Sequence, residues 1–140
     1  MSLRQNLADA IADLRRIEGA DLPSPDADGI TAFAVTHEGV TSEIYVRAFE
    51  EGDMVSLMCP VGSVEVPPKD AAAIHQGFLA AGCLGLETNG LSLFLNPGDG
   101  RLCLGYSIFG NMLTGEALGE VIGRILIANA VWKERLSATP

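Results

Sequence analysis

A chain of 140 residues with 48% hydrophobic and 19% charged side chains has the size and composition of one globular domain, which we expect to span residues 1–140. Nine Lys and Arg against eighteen Asp and Glu give a net charge of −9, which repels phosphate backbones and anionic lipid heads. Size excludes two independent catalytic domains, and charge argues against nucleic acid and membranes as partners.

The first predicted element is an amphipathic helix that ends near Gly19. Ser2 followed three residues later by Gln5 is the capping-box pattern of a helix start. The apolar residues recur at spacings of three and four and are Leu3, Leu7, Ile11, Leu14 and Ile17. Prolines and an Asp-Gly pair between Asp21 and Gly29 then break any helix.

Three runs rich in β-branched and aromatic residues follow and predict an antiparallel meander. They span about Ile30 to His37, Val40 to Phe49 and Met54 to Val61. In the third run, alternate residues from Val55 to Val61 form one apolar face. The opposite face carries Met54 and Met58 and is also partly apolar, so both sides of this strand are candidates for being covered.

A second helix and a second hairpin are predicted in the middle of the chain. Pro67 and Pro68 suit the first turn of a helix. This middle helix carries three large apolar residues, Ile74, Phe78 and Leu79. The hairpin strands run from Leu91 to Asn96 and from Arg101 to Ile108, around a glycine-containing turn.

A long C-terminal helix is predicted from a cap at Thr114 to about Leu136. Its apolar stripe comprises Leu118, Val121, Ile122, Ile125, Leu126, Trp132 and Leu136. Gly115, Gly119 and Gly123 each disfavour a helix by about 1 kcal/mol relative to alanine, so we expect a close approach to the sheet there. The order α-β-β-β-α-β-β-α predicts an α+β fold, an antiparallel sheet packed with helices.

The cysteines and the chain start indicate a cytoplasmic protein. Cys59, Cys83 and Cys103 lie in apolar runs without a CxxC pair, as expected for buried thiols in a reducing compartment. No apolar signal segment follows the first basic residue, and no run approaches the roughly 18 apolar residues of a membrane span.

No set of residues forms a recognisable catalytic or metal site. Gly105 to Phe109 comes within one position of the GxSxG nucleophile motif, but Phe109 replaces the second glycine after Ser107. The two histidines, His37 and His75, lie at no ligand spacing from cysteine or carboxylate. We therefore expect no catalytic residue, metal or cofactor, with a small-ligand carrier or hydrolase that uses Ser107 or His75 as the alternative.

The chain has more apolar surface than a small domain hides easily, which indicates a binding protein. The residues that carry this excess are Phe33, Val35, Met54, Met58, Ile74, Phe78, Phe94 and Trp132. Methionine side chains are flexible and polarizable, so Met54 and Met58 suit varied apolar anchors of an extended peptide.

The chain resembles the small acidic chaperones of bacterial type III secretion, the CesT and SycE-like class. The resemblance covers nearly the whole chain and includes its size, acidity and element order. It is carried above all by the C-terminal half, which contains Leu91-Ser92-Leu93-Phe94-Leu95, the Asp99-Gly100 turn, the run from Arg101 to Ile108, and the helix from Leu118 to Leu136 with Trp132 near its end.

The resemblance implies a cytoplasmic homodimer that binds the N-terminal segment of a secreted effector in extended form and keeps it export-competent, without cofactor or ATP. It places the dimer contact on the middle helix, where we expect Ile74, Phe78 and Leu79 to meet the same residues of the other copy; packing on their own sheet is the alternative. The candidate partner-binding residues are Phe33, Val35, Met54 and Met58, with Leu3, Leu7 and Ile11 as a second patch. A protein-binding module of the same fold outside secretion is the alternative.

Overall fold

The structure, a computed structural model, describes residues 2–18, 22–63, 90–95 and 101–137. Its helices are α1 (Leu3–Glu18) and α2 (Gly115–Ser137), and a short 3-10 turn spans Gly110–Met112. Its strands are β1 (Ile30–His37), β2 (Val40–Phe49), β3 (Met54–Ser63), β4 (Ser92–Leu95) and β5 (Arg101–Phe109). The predicted middle helix, with Ile74, Phe78 and Leu79, and the turn at 96–100 lie outside the described residues.

The five strands form one antiparallel sheet in the order β1-β2-β3-β5-β4. The predicted meander and the second hairpin are both confirmed. β5 pairs with β3 over nearly its whole length, from Met54 opposite Phe109 to Ser63 opposite Arg101, with a register shift between Pro60 and Gly62. The hairpin is therefore joined to the meander through the longer of its two strands. β4 is left at one edge of the sheet and β1 at the other.

Both described helices pack on the same face of the sheet and enclose the core there. The alternation of β2 shows how the sequence directs this, since Ile44 and Val46 are fully buried while Tyr45 and Arg47 are exposed. From the helices, the core receives Leu3, Leu7, Ile11, Leu14, Leu118, Val121, Ile122, Ile125 and Trp132. The opposite face of the sheet is left without a described helix.

The start of α1 is capped from two places in the chain. Ser2 Oγ accepts a hydrogen bond from the Gln5 amide at 3.1 Å, as the capping-box pattern predicts. The Gln5 side chain turns instead to Asp9 Oδ1. Glu50, in the β2–β3 turn, accepts hydrogen bonds from the amides of Leu3 and Arg4 at 3.1 and 3.0 Å. A helix start is thus fixed to the sheet by a carboxylate that lies near the positive end of the helix dipole.

The Glu50 cap predicts a pH dependence of stability. The hydrogen bonds from the amides of Arg4 and Leu3 lower the pKa of Glu50 below its usual 4.5. A carboxyl whose pKa is lower in the folded state stabilises the fold above the unfolded-state pKa, and the contribution disappears as the pH falls through the folded-state pKa. We expect Glu50→Gln to lower the urea midpoint at neutral pH.

The same substitution is expected to change little at a pH below the folded-state pKa of Glu50, where protonation removes the charge of the carboxylate cap in the wild type. Glu51→Gln in the same turn is the matched control. An equal loss of stability at both pH values would show that Glu50 does not act through its charge.

The glycine-rich start of α2 packs closely against α1. The expectation that it would approach the sheet was therefore wrong. Thr114 Oγ1 accepts a hydrogen bond from the Ala117 amide at 3.0 Å, which confirms the predicted cap. A Cβ at Gly115 would lie 2.8 Å from Asp13 Cβ, and one at Gly119 would lie 2.9 Å from Leu14 Cδ1. The glycines therefore let the two helices pack closely.

Polar groups are buried between α2 and the sheet. Asn129, which is fully buried, donates a hydrogen bond from Nδ2 to Ser42 Oγ at 2.7 Å. Burial raises the pKa of the Cys59 thiol to about 11, so it is protonated at neutral pH. Cys59 and Cys103 are both buried, as the sequence predicts, whereas Cys83 lies outside the described residues.

Candidate partner-binding surface

The sheet face opposite the helices carries apolar and small residues, and about half of them are exposed. Side chains that point this way meet across the strands, as Tyr45 does with Met58 and Phe49 with Met54. We call this surface the open face. Its principal residues are Ile30, Tyr45, Arg47, Phe49, Met54, Ser56, Met58, Ser92, Phe94, Gly105, Ser107 and Phe109.

A groove of about 720 Å³ lies in the middle of the open face. Its lining includes the large side chains Tyr45, Phe49, Met58 and Phe94. The three aromatic rings are unusually exposed for their type, with 38%, 39% and 37% of Tyr45, Phe49 and Phe94 accessible. The volume falls in the range of about 300–1,000 Å³ that ligand-binding clefts occupy, and the mostly apolar lining is typical of them.

Small residues form the floor of this open-face groove. A Cβ at Gly105 would come within 2.8 Å of Phe94 Cε1, so only glycine lets the Phe94 ring lie this close to β5. Ser56 and Ser107 face each other across β3 and β5, and their hydroxyls hydrogen-bond at 3.0 Å. The sequence that partly matches a nucleophile motif therefore supplies a groove floor.

The position of Ser107 differs from that of a nucleophile on a strand-to-helix elbow. The residue lies within β5, with Ile108 and Phe109 continuing the strand beyond it. Its hydroxyl is engaged with that of Ser56. His37 is an exposed residue at the end of β1, and its Nε2 lies 3.9 Å from Oε1 of Glu38. His75 lies outside the described residues. Within the described ranges, no three His, Cys, Asp or Glu side chains cluster as metal ligands do.

Arg47 gives the open-face groove a positive charge. It is the one basic residue among the described residues that line the groove. Its guanidinium carbon lies 4.7 Å from the centre of the Phe49 ring, within the distance of a cation–π contact. The side chain is exposed, and across the strands it faces the uncharged Ile30 and Ser56.

The four predicted partner-binding residues on the strands fall on two different faces. Met54 and Met58 lie half-buried on the open face, and Met58 lines the groove. Phe33 and Val35 point to the helix side, where they are half-buried and line a smaller apolar pocket of about 260 Å³. The other lining residues of that pocket are Leu14, Leu22, Gly119, Ile122, Gly123 and Leu126.

The predicted second patch on the first helix needs correction. Leu3, Leu7 and Ile11 are 4%, 0% and 1% exposed, because this stripe of α1 packs into the core. Their side chains offer no surface to a partner in the described chain. The same three-and-four spacing that suggested a patch is the normal pattern of a core-facing helix stripe.

Tyr45, Arg47, Phe49 and Gly105 were not singled out from the sequence as binding residues. A two-residue alternation in β2 places the first three on one side of the strand. That signal shows which residues share a face, but the groove also needs β4 and β5, whose placement beside β3 is a long-range pairing. The predicted dimer residues, Ile74, Phe78 and Leu79, lie outside the described residues.

Comparisons with known proteins find similarity at the level of structure. No protein-family model matches the chain, and no curated protein matches it in sequence. The chain is similar to the crystal structure of the ExsC-ExsE complex, with a TM-score of 0.79 and 17% identity over 100% of both chains. It is also similar to the structure of the HopA1-SchA chaperone-effector complex, with a TM-score of 0.71 and 18% identity over 94% of each chain.

The second of these structures is a chaperone bound to an effector. Among the described residues, neither helix is both long and apolar enough to cross a bilayer. At this level of identity, the similarity establishes the fold. The chain therefore has the α+β fold of the type III secretion chaperones, as its resemblance to them implied.

Proposed function

We propose that this protein is a cytoplasmic, homodimeric chaperone that binds the N-terminal segment of a type III secretion effector in extended form and keeps it export-competent. The observation that carries the proposal is the fold, since the chain is similar over its full length to the ExsC-ExsE complex and over 94% to a chaperone-effector complex. The proposed activity is binding, without catalysis or a cofactor.

The open face supports this function because its surface suits an unfolded segment. Its exposed aromatic rings and methionines offer apolar contacts along neighbouring strands. Flexible Met54 and Met58 adapt to different apolar anchors, which a chaperone of partly folded clients needs. An extended peptide presents alternate side chains to such a surface.

The edge strand β1 and the smaller pocket beneath it support the same mode of binding. Among the described strands, β1 pairs only with β2, and its other edge is where we propose that a client strand is added. Phe33 and Val35 point from β1 into the pocket on the helix side. A client strand added at this edge would place apolar side chains next to that pocket. We propose Phe33, Val35, Met54 and Met58 as partner-binding residues on this basis.

The homodimer is proposed on the resemblance alone, with Ile74, Phe78 and Leu79 of the predicted middle helix at the contact. In a twofold interface, the same patch of each copy meets its counterpart. One substitution therefore places two like charges in the interface, one from each copy. Phe78→Glu is expected to halve the mass measured by light scattering. An unchanged mass with a normal far-UV spectrum would remove this segment from the interface.

The experiment that tests the function is affinity purification of the tagged protein from its own cells, with partners identified by mass spectrometry. We expect one stoichiometric partner, retained through roughly its first 50 to 100 residues as an extended segment. Deleting the chaperone should reduce the amount of that partner in the secreted fraction. A partner that is never secreted would favour a binding module outside secretion, and a retained small molecule without a protein would favour a carrier.

A further inference from the structure

The positive charge in the open-face groove restricts what the groove can bind. Arg47 lies among aromatic, methionine and serine side chains. Of the carboxylates in the described part of the chain, none forms an ion pair with it. Its guanidinium contacts the Phe49 ring, which holds it over the surface and leaves its donors available to an incoming group.

Covering Arg47 with a partner removes water from the guanidinium. A buried arginine has five N–H donors, and leaving them unsatisfied in an apolar contact costs several-fold in affinity or more. A purely apolar segment would bind more weakly because it leaves these donors unsatisfied. A segment with Lys or Arg at this point would also be repelled by the charge of Arg47. A carboxylate instead accepts two parallel hydrogen bonds from the guanidinium and cancels the charge.

The neighbours of Arg47 on β2 set the spacing of the partner. Tyr45 and Phe49 lie two residues before and after it on the same side of the strand, next to Met58 and Met54 of β3. Side chains two residues apart in an extended peptide are separated by about 6.6 Å, the same spacing as in β2. A peptide running along β2 would thus set apolar residues over Tyr45 and Phe49 and one residue over Arg47.

We propose that the open-face groove selects an extended segment with an acidic residue flanked by apolar residues two positions away on each side. This inference rests on the proposed function and names the client chemistry at that site. It differs from what the net charge of −9 suggests, which is a basic client. Charges beyond about 8 Å are largely screened at physiological salt. The charge of Arg47, which contacts the peptide, therefore determines which central residue binds best.

The test uses three synthetic peptides that differ only in their central residue, Glu, Gln or Lys, with leucine two positions to either side. Each carries a fluorophore and is titrated with the full-length protein, and binding is followed by anisotropy. The wild type is expected to bind the Glu peptide about tenfold tighter than the Lys peptide. The preference should shrink as salt is raised.

Arg47→Glu is expected to reverse the order of the Glu and Lys peptides, and Arg47→Gln to abolish their difference. Arg47 is exposed, so both variants should keep the thermal midpoint of the wild type. Equal binding of the three peptides, a preference for Lys, or no binding up to about 1 mM would overturn the inference. So would a fall in the solution mass on adding peptide, because a second copy would then be the occupant of the groove.

The outcome is separable from that of the proposed function. If a secreted effector co-purifies with the protein but the peptides show no preference, the function stands and the acidic specificity fails. If the Glu preference and its reversal are found without any effector partner, the specificity stands and the secretion role fails.

Discussion

Replacing Met54 and Met58 together with glutamate is expected to leave the protein folded and to weaken client capture by roughly thirtyfold or more. Both side chains lie on the open face outside the core, so the charges stay in water in the free protein. In the complex, the charges would be forced into an apolar contact, which costs a few kcal/mol. Titration of the purified client segment into each variant measures the loss.

Met54→Leu with Met58→Leu is the matched control, since it keeps the apolar volume and should retain most of the affinity. Circular dichroism and the urea midpoint show whether each variant is folded. If the glutamate pair unfolds the protein, both methionines belong to the core. If it stays folded and captures the client normally, the open face is not the binding surface.

Gly115→Ala and Gly123→Ala are expected to change stability in opposite directions, although both add one methyl to the same helix. At Gly115 the new Cβ would lie 2.8 Å from Asp13 Cβ and 3.2 Å from both Ala10 O and Leu14 N. Two of these are backbone atoms that cannot turn aside, so we expect a loss of about 1–3 kcal/mol. At Gly123 no heavy atom lies within 4 Å, and alanine should stabilise the helix by up to about 1 kcal/mol.

Urea unfolding of the two variants and the wild type measures this difference directly. Gly123→Ala is the internal control for helix propensity, because it shares the substitution without the contact with α1. Two gains of stability would contradict the close packing of α1 and α2 at Gly115. Client capture by Gly123→Ala also reports on the smaller pocket, which Gly123 lines.

Local patterns predicted most of the elements because the signals lie within a few residues of one another. Ser2 and Thr114 mark the helix starts through hydrogen bonds to amides three residues later, at 3.1 and 3.0 Å. The alternation from Val40 to Phe49 identifies a strand with one buried face. Composition and net charge also led us to expect a globular binding protein, and not a membrane or nucleic-acid-binding protein.

Long-range pairing is what local patterns could not supply. No local pattern marks Glu50 as a helix cap, yet its carboxylate caps α1, whose first residues are 46 and 47 positions away in the chain. Gly105 reads as part of a motif, but its role depends on the Phe94 ring brought beside it by β4. Arg47 gains its significance only from the apolar residues that the sheet places around it. The groove was therefore only partly predictable, through Met58 and Phe94.

The stripe of α1 shows the limit of periodicity in another way. Leu3, Leu7 and Ile11 form one helix face whether that face meets the core or a partner. The structure resolves the choice, because α2 and the sheet already cover the face. By contrast, Tyr45 and Phe49 are exposed on a strand whose other face is buried. The open face is therefore the surface to test for binding of a partner.

The most direct test of the central claim is site-specific photo-crosslinking in the native cells. A benzophenone amino acid replaces Met58 in the open-face groove, and in a second strain it replaces Ala12, an exposed residue of α1, as the control. We expect position 58 to crosslink to the N-terminal segment of a secreted effector, and position 12 not to do so. Crosslinks to the effector only from position 12, or none from position 58 while the effector still co-purifies, would contradict binding at the open face.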